Sequence, residues 1–378
     1  VVSQRSFMDR AELGIRYITK YLGDQVLNAE KSRRSLLKPM DILCEVTYLC
    51  NLECPTCFRW TSKPGEKELT AEEWKELLAK LKSWIGSFNF VISGGEPLMK
   101  QDILDVISFA TDKGIVSTLI SNGSLIDKDM ARKLVDSGLD ALSLSLNSLI
   151  PEIHNKTRGT NNSFNEVMSA IENLRDRDGM ALTLSTTVLD ENLSELPDML
   201  RFVKDKGLDG INFQPLMSAE AFPVYDSDGG AESFSEGRFY KKLAGVRAEE
   251  VDEVFSELTN LKQDGAPINN SMKHLRIIAE YLKDTECADV KNFICPIGPK
   301  NFFIDPFGNV RICSIMDSIG NVREDDPATI WNSPKAMAQR EAIIGCDKAC
   351  RVMNCNFKHI DIGSRFGRFY KMLRGKSR

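Results

Sequence analysis

From residue 41 onward, short apolar runs alternate with longer stretches in which apolar side chains recur every three or four positions. The runs near 41–48, 88–93, 116–121, 140–146, 181–188 and 209–214 are rich in Ile, Val, Leu and Phe and read as strands. Between them, stretches near 70–84, 101–113, 128–137, 163–176 and 193–206 carry the 3.6-residue period of amphipathic helices. Strands alternating with helices predict a parallel sheet with right-handed crossovers, since a parallel neighbour is reached only by a long return connection.

The flanking segments read differently. Leu13, Ile15, Ile18, Tyr21, Leu22, Val26 and Leu27 predict a helix covering the core, with a membrane-surface helix as the alternative. Residues 217–248 show no period and predict a long loop at the sheet's mouth, a lid, a substrate contact or a plain linker. Helices are expected near 249–263 and 272–284, followed by a hairpin over 302–312 that turns at Pro306-Phe307-Gly308-Asn309. The tail at 361–378 interleaves cations with apolar groups, as a solvated helix or a contact for an acidic partner or membrane surface.

Composition narrows the classes. The 378 residues, 42% of them apolar, are enough to bury a sizeable core and make about two domains. A net charge of -5 leaves no footprint for nucleic acid. No apolar run approaches the roughly 18 residues of a membrane span, and no secretory signal opens the chain. The ten cysteines fall in two groups around a largely cysteine-free middle, which points to thiols in a reducing cytoplasm rather than disulfide staples.

The first group, Cys50-x3-Cys54-x2-Cys57, follows the first strand. Zinc takes four protein ligands in a structural site, and no fourth Cys or His lies nearby. An iron–sulfur cubane held by three thiolates instead keeps one iron open for chemistry. This spacing, followed by Phe58, resembles the signature of the radical S-adenosylmethionine (SAM) superfamily. The resemblance implies a partial, TIM-like (β/α)6 barrel with function on the loops after the strands. It further implies a [4Fe-4S] cluster whose open iron is chelated by SAM, a 5′-deoxyadenosyl radical, and a flavodoxin or ferredoxin-type reductant. Gly94-Gly95-Glu96-Pro97 after the second strand is similar to the family's GGEP motif, with Glu96 as acceptor for the methionyl amine. Ser121, Asn122 and Ser145 at strand ends are expected as cofactor contacts, although Asn122-Gly123 is also an ordinary turn pair. Arg158 is expected to clamp the cofactor carboxylate. Thr187, Asn212 and Gln214 end the fifth and sixth strands, as adenine or substrate contacts or as buried hydrogen bonds.

Cys295, Gly308-x4-Cys313, Cys346, Cys350 and Cys355 are similar to the SPASM/twitch extension of that superfamily, which implies a second, auxiliary [4Fe-4S] cluster. Cys295, Cys313, Cys350 and Cys355 are expected as its ligands and Cys346 as the alternate, with a structural zinc site the competing reading. Cys44 reads as core, and Cys287 as a small buried hydrophobe or a hydrogen-atom donor. The expected organisation is an N-terminal helical segment (1–40), the barrel (41–216), a loop and helical linker (217–290), the auxiliary cluster domain (291–360) and the basic tail. The 40 residues before the barrel are short for the leader-binding domain of peptide-modifying members, so a small sugar, alcohol or lipid-like substrate is expected, oxidised or rearranged by an oxidoreductase. A ribosomal-peptide maturase, an epimerase and a non-catalytic iron–sulfur or zinc protein are the alternatives.

Overall fold

β1 (Asp41–Glu45), β2 (Asn89–Ser93), β3 (Val116–Ser121), β4 (Ala141–Ser145), β5 (Ala181–Val188) and β6 (Gly210–Pro215) stand side by side in chain order, all parallel. The computed structural model describes residues 38–57, 59, 68–216, 224–225, 231–232, 246–284, 287, 290, 295, 297–346, 348, 350 and 353. The expected N-terminal helix, most of the 217–248 loop, Cys355 and the basic tail lie outside these residues. Within that loop, β7 (Val224–Tyr225) and β8 (Ala231–Glu232) form a short antiparallel pair.

Alternation along each strand sets its two faces. On β5, Leu182, Leu184 and Val188 are wholly buried against the helices, while Ala181, Thr183, Ser185 and Thr187 point into the barrel and stay partly open. Five helices cover the outer face: α1 (Ala71–Ile85), α2 (Ile103–Asp112), α3 (Lys128–Asp136), α5 (Ser163–Asn173) and α6 (Leu196–Asp205). α1 starts at a capping box, in which Thr70 accepts from the Glu73 N–H and Glu73 accepts from the Thr70 N–H. Its Trp74, Leu78 and Leu81 are fully buried, each side chain worth about 1.5–3 kcal/mol of burial.

One helix was not expected. α4 (Pro151–Arg158) occupies the segment around His154, opened by a proline at its first turn and closed by Gly159 in the left-handed conformation (φ 66°). Only His154 and Thr157 of its eight residues are buried, so it has no apolar stripe for a periodicity reading to find.

The auxiliary hairpin continues the barrel sheet. β9 (Asn301–Ile304) pairs in parallel with β1, from Asp41 opposite Asn301 to Cys44 opposite Ile304. β10 (Asn309–Arg311) and β11 (Gly320–Asn321) extend the same sheet, giving the order β11-β10-β9-β1-β2-β3-β4-β5-β6. Covering the hairpin's outer face are α9 (Pro327–Trp331) and α10 (Pro334–Ile344), with the Trp331 ring against Trp84 and Phe302 at 6.4 and 5.9 Å. The far edge, β6, is backed by α7 (Ala248–Gln263) and α8 (Met272–Lys283) and bridged by Ile268 beside Ile211.

Candidate metal centre and cofactor site

β1 delivers the chain to the barrel mouth, where residues 46–57 turn as the first cysteine loop. The following βα loop is bound to it through backbone. Gly95 N–H donates to Thr47 C=O at 2.8 Å and Glu96 N–H to Leu49 C=O at 2.8 Å. A Cβ on Gly94 would lie 2.3 Å from the Thr47 carbonyl oxygen, and one on Gly95 2.1 Å from that of Leu49. The two glycines thus admit the cysteine loop itself, a role distinct from close approach to a ligand.

Glu96 is 1% exposed and already engaged. Its Oε1 accepts from Leu98 N–H at 3.1 Å and Ser121 Oγ–H at 2.9 Å, and its Oε2 from Asn122 N–H at 2.8 Å. A carboxylate has about four acceptor positions, so one remains on Oε2 for an ammonium group. Burial raises the Glu96 carboxyl, while the hydrogen bonds from Asn122, Leu98 and Ser121 and the Arg158 charge pull it back. Asn122 donates to Asn51 Oδ1 at 3.0 Å, and Asn51 donates to Ser124 Oγ at 2.8 Å, tying the cysteine loop to the β3 end. Ser121 and Asn122 therefore both bond Glu96, with much of their polar capacity spent on the scaffold.

Arg158 approaches the loop from below. Its Nη1 stands 3.9 Å from Cys54 Sγ, and among the described residues its buried Nε has no acceptor. A Cβ on Gly159 would lie 2.5 Å from the Glu53 carbonyl oxygen, so only glycine lets α4 end against the loop. The α4 segment is fixed by a buried polar network that sequence reasoning missed. Asn147 donates from its amide to Thr157 Oγ1 at 3.0 Å, and its backbone N–H donates to His154 Nδ1 at 3.1 Å. That bond assigns the imidazole proton to Nε2, which faces Ser163 Oγ at 3.3 Å. Burial first, and Arg158 second, push His154 down to about 3. Its partners lie seven and nine positions away, too far for any local pattern to announce them.

The three thiols of the first loop answer to one another. Burial pushes Cys50 up to about 11, with the Cys54 and Cys57 charges adding to the rise. Cys57 is likewise raised by burial, with Cys54 adding and Arg59 and Arg158 opposing. A bound cation reverses this balance. In the auxiliary region, burial pushes Cys313 up to about 11, with Cys295 and Cys346 adding and Lys348 opposing. Cys346, expected only as the alternate, thus stands within electrostatic reach of Cys313. Among the described residues no three Cys, His, Asp or Glu side chains converge tightly enough for a single metal ion.

The remaining site residues line the barrel. Ser145, Ser185 and Asn212 lie in register across β4, β5 and β6, and Thr187 opposes Gln214 one step nearer the mouth. All five are partly open. Cys44 is fully buried, as expected, and Cys287 packs partly buried against the apolar core rather than on this row.

A thiol loop at the mouth of a partial parallel barrel, with further thiols beside an added hairpin, defines an iron–sulfur enzyme scaffold. The profile of the radical SAM superfamily matches residues 44–203, and that of the SPASM iron–sulfur cluster-binding domain matches residues 295–356. The chain belongs to the radical SAM superfamily and carries its SPASM extension. A PqqA peptide cyclase of Bradyrhizobium diazoefficiens is 25% identical over 338 residues, covering 86% of this chain and 80% of that protein. An AdoMet-dependent heme synthase of Methanosarcina barkeri is 25% identical over 337 residues, covering 86% of this chain and 91% of that protein. The crystal structure of Streptococcus suis SuiB bound to S-adenosylmethionine matches the fold with a TM-score of 0.63 at 16% identity, covering 86% of this chain and 77% of that one. Membership brings a [4Fe-4S] cluster and SAM to the barrel and auxiliary iron–sulfur chemistry to the SPASM region. Among the described residues no helix is long and apolar enough to cross a membrane.

Proposed function

We propose that this protein is a radical SAM maturase that oxidatively modifies a peptide, forming a bond or an unsaturation within it. Cys50, Cys54 and Cys57 hold the SAM-binding cluster, and Glu96, Ser121, Asn122 and Arg158 surround the methionyl end of SAM. Four of Cys295, Cys313, Cys346, Cys350 and Cys355 supply the auxiliary cluster. When bound, SAM supplies the 5′-deoxyadenosyl radical that removes hydrogen from an unactivated carbon, and the protein positions that carbon and excludes water.

The observation that carries the peptide reading is the wall of the barrel. From β4 to β6 the inward row is Ser143, Ser145, Thr183, Ser185, Thr187, Asn212 and Gln214, hydroxyls and amides without a charge. Such groups match backbone amides, which offer one donor and one acceptor per residue. The similarity to a PqqA peptide cyclase along most of the chain supports the same reading, in place of the small metabolite expected above.

The coverage of a heme synthase supports a second reading, a tetrapyrrole substrate. Tetrapyrrole carboxylates call for cations, yet Arg311 is paired with Asp305 and Arg59 with Glu45. Reconstituted protein with SAM and dithionite is to be incubated with precursor peptides encoded beside its gene and, separately, with iron-coproporphyrin. Loss of two hydrogens from a peptide is expected; conversion of the porphyrin with every peptide untouched overturns the peptide reading.

A further inference from the structure

Arg158 is the last residue of α4, and the fold fixes it from both sides. Before it, Thr157 Oγ1–H donates to His154 C=O at 2.7 Å and the same oxygen accepts from the Asn147 amide at 3.0 Å. After it, Gly159 stops against the cysteine loop, where a Cβ would meet the Glu53 carbonyl oxygen at 2.5 Å and stand 3.6 Å from Pro55 Cδ. The guanidinium is thereby delivered to Cys54, with Nη1 3.9 Å from Sγ. Among the described residues that sulfur is the one hydrogen-bond acceptor Arg158 has, and no carboxylate forms an ion pair with it.

The other cation at this loop is spent differently. Arg59 Nε meets Glu45 Oε1 at 2.5 Å, and its guanidinium lies 5.3 Å from the Tyr48 ring centre. A cation paired with a carboxylate projects little net charge, whereas one without such a partner in a partly buried place acts at greater strength than in water. The Arg158 charge accordingly reaches three neighbours, pulling down the Cys57 thiol, the Glu96 carboxyl and the His154 imidazole. Cys50, Cys54 and Cys57 also stand within charge range of one another.

We infer that Arg158 places an uncompensated positive charge at the Cys54 side of the first cluster and so raises the reduction potential of that cluster. The inference rests on Cys50, Cys54 and Cys57 being its ligands. Hydrogen bonds to the sulfurs and net charge nearby are two of the levers that set such potentials. Reduction adds one electron from the external reductant and breaks no bond, so the site gains one negative charge, which a fixed cation favours. Nη1 serves the sulfur while Nε is left for the methionyl carboxylate, and one guanidinium attends both the cluster and SAM.

The test omits SAM, so that carboxylate binding does not enter. Reconstituted wild type, Arg158→Gln and Arg158→Lys are titrated by electron paramagnetic resonance, and the first cluster is identified as the one whose signal changes when SAM is added to a parallel wild-type sample. Arg158→Gln is expected to shift the equilibrium about tenfold toward the oxidised state, a fall of about 59 mV for one electron. Arg158→Lys keeps the charge and is expected to stay near the wild-type value. The auxiliary potential is expected to be unchanged in both variants, a pattern that general loosening of the fold would not give. An unchanged first-cluster potential in Arg158→Gln, or a fall in Arg158→Lys as large as in Arg158→Gln, overturns the charge role. If Arg158→Gln holds no first cluster, Arg158→Lys decides: a cluster near the wild-type potential upholds the role, and a lowered potential or no cluster overturns it. A wild type without any SAM-responsive cluster removes the assignment of the three cysteines and this inference together.

Discussion

Gly95 lies under Leu49 so closely that an added Cβ would meet the Leu49 carbonyl oxygen at 2.1 Å. The two loops that build the candidate SAM site are thus one backbone unit, and neither is free to move without the other. Gly95→Ala forces the cysteine loop outward, at about 1–3 kcal/mol for overpacking. The expected outcome is loss of the SAM-responsive cluster signal with the auxiliary signal retained, read by electron paramagnetic resonance after reconstitution.

Among the described residues, the buried Nε of Arg158 has no acceptor, which makes it a donor suited to the methionyl carboxylate. A charged hydrogen bond is worth about 1.5–3 kcal/mol, so Arg158→Gln is expected to weaken SAM binding by about 10- to 150-fold. Equilibrium binding to the reconstituted, oxidised protein measures this, and unchanged affinity removes Arg158 from the cofactor site.

His154 sets an acid limit on stability. Its pKa is about 3 in the fold against an unfolded value near 6.5, so above pH 6.5 both states bind no proton and its full contribution is present. As pH falls toward 3, protonation favours the unfolded chain. In denaturant melts the advantage of wild type over His154→Gln is expected to shrink by a few kcal/mol between pH 7 and 4. A constant gap contradicts the buried, neutral imidazole.

Glu73 joins α1 to the turn after β11 through Arg323, at 2.6 and 3.0 Å. The Arg323 hydrogen bond, ahead of the Thr70 bonds, holds Glu73 down to about 2. Both partners are about a third exposed, so solvent screening leaves the pair under about 1 kcal/mol. Glu73→Ala also removes half of the capping box and is expected to cost about 0.5–2 kcal/mol. Arg323→Ala is therefore the milder change at pH 7. The contribution of the pair is present above pH 4.5 and is lost as pH falls toward 2, and thermal melts of both variants at pH 7 and 3 check the order and the sign.

The repeating strands and helices were legible because apolar spacing reports which face is buried. β3 and β5 begin and end where the pattern places them, at Val116–Ser121 and Ala181–Val188. The thiol loop and the Gly94-Gly95-Glu96-Pro97 turn were legible as short contiguous motifs. What escaped is non-local. α4 carries no stripe, and Pro151 with Gly159 was its available signal. The parallel pairing of β9 with β1 joins positions 260 apart, which periodicity cannot report. The Glu45–Arg59 pair likewise depends on a turn that only the folded loop makes.

The central claim is that Cys50, Cys54 and Cys57 hold the cluster that cleaves SAM. Anaerobically reconstituted protein with dithionite and SAM is expected to release 5′-deoxyadenosine, quantified by mass spectrometry, and the Cys50→Ala, Cys54→Ala, Cys57→Ala triple variant to release none. No 5′-deoxyadenosine from iron-loaded wild type, or an equal amount from the triple variant, would contradict it.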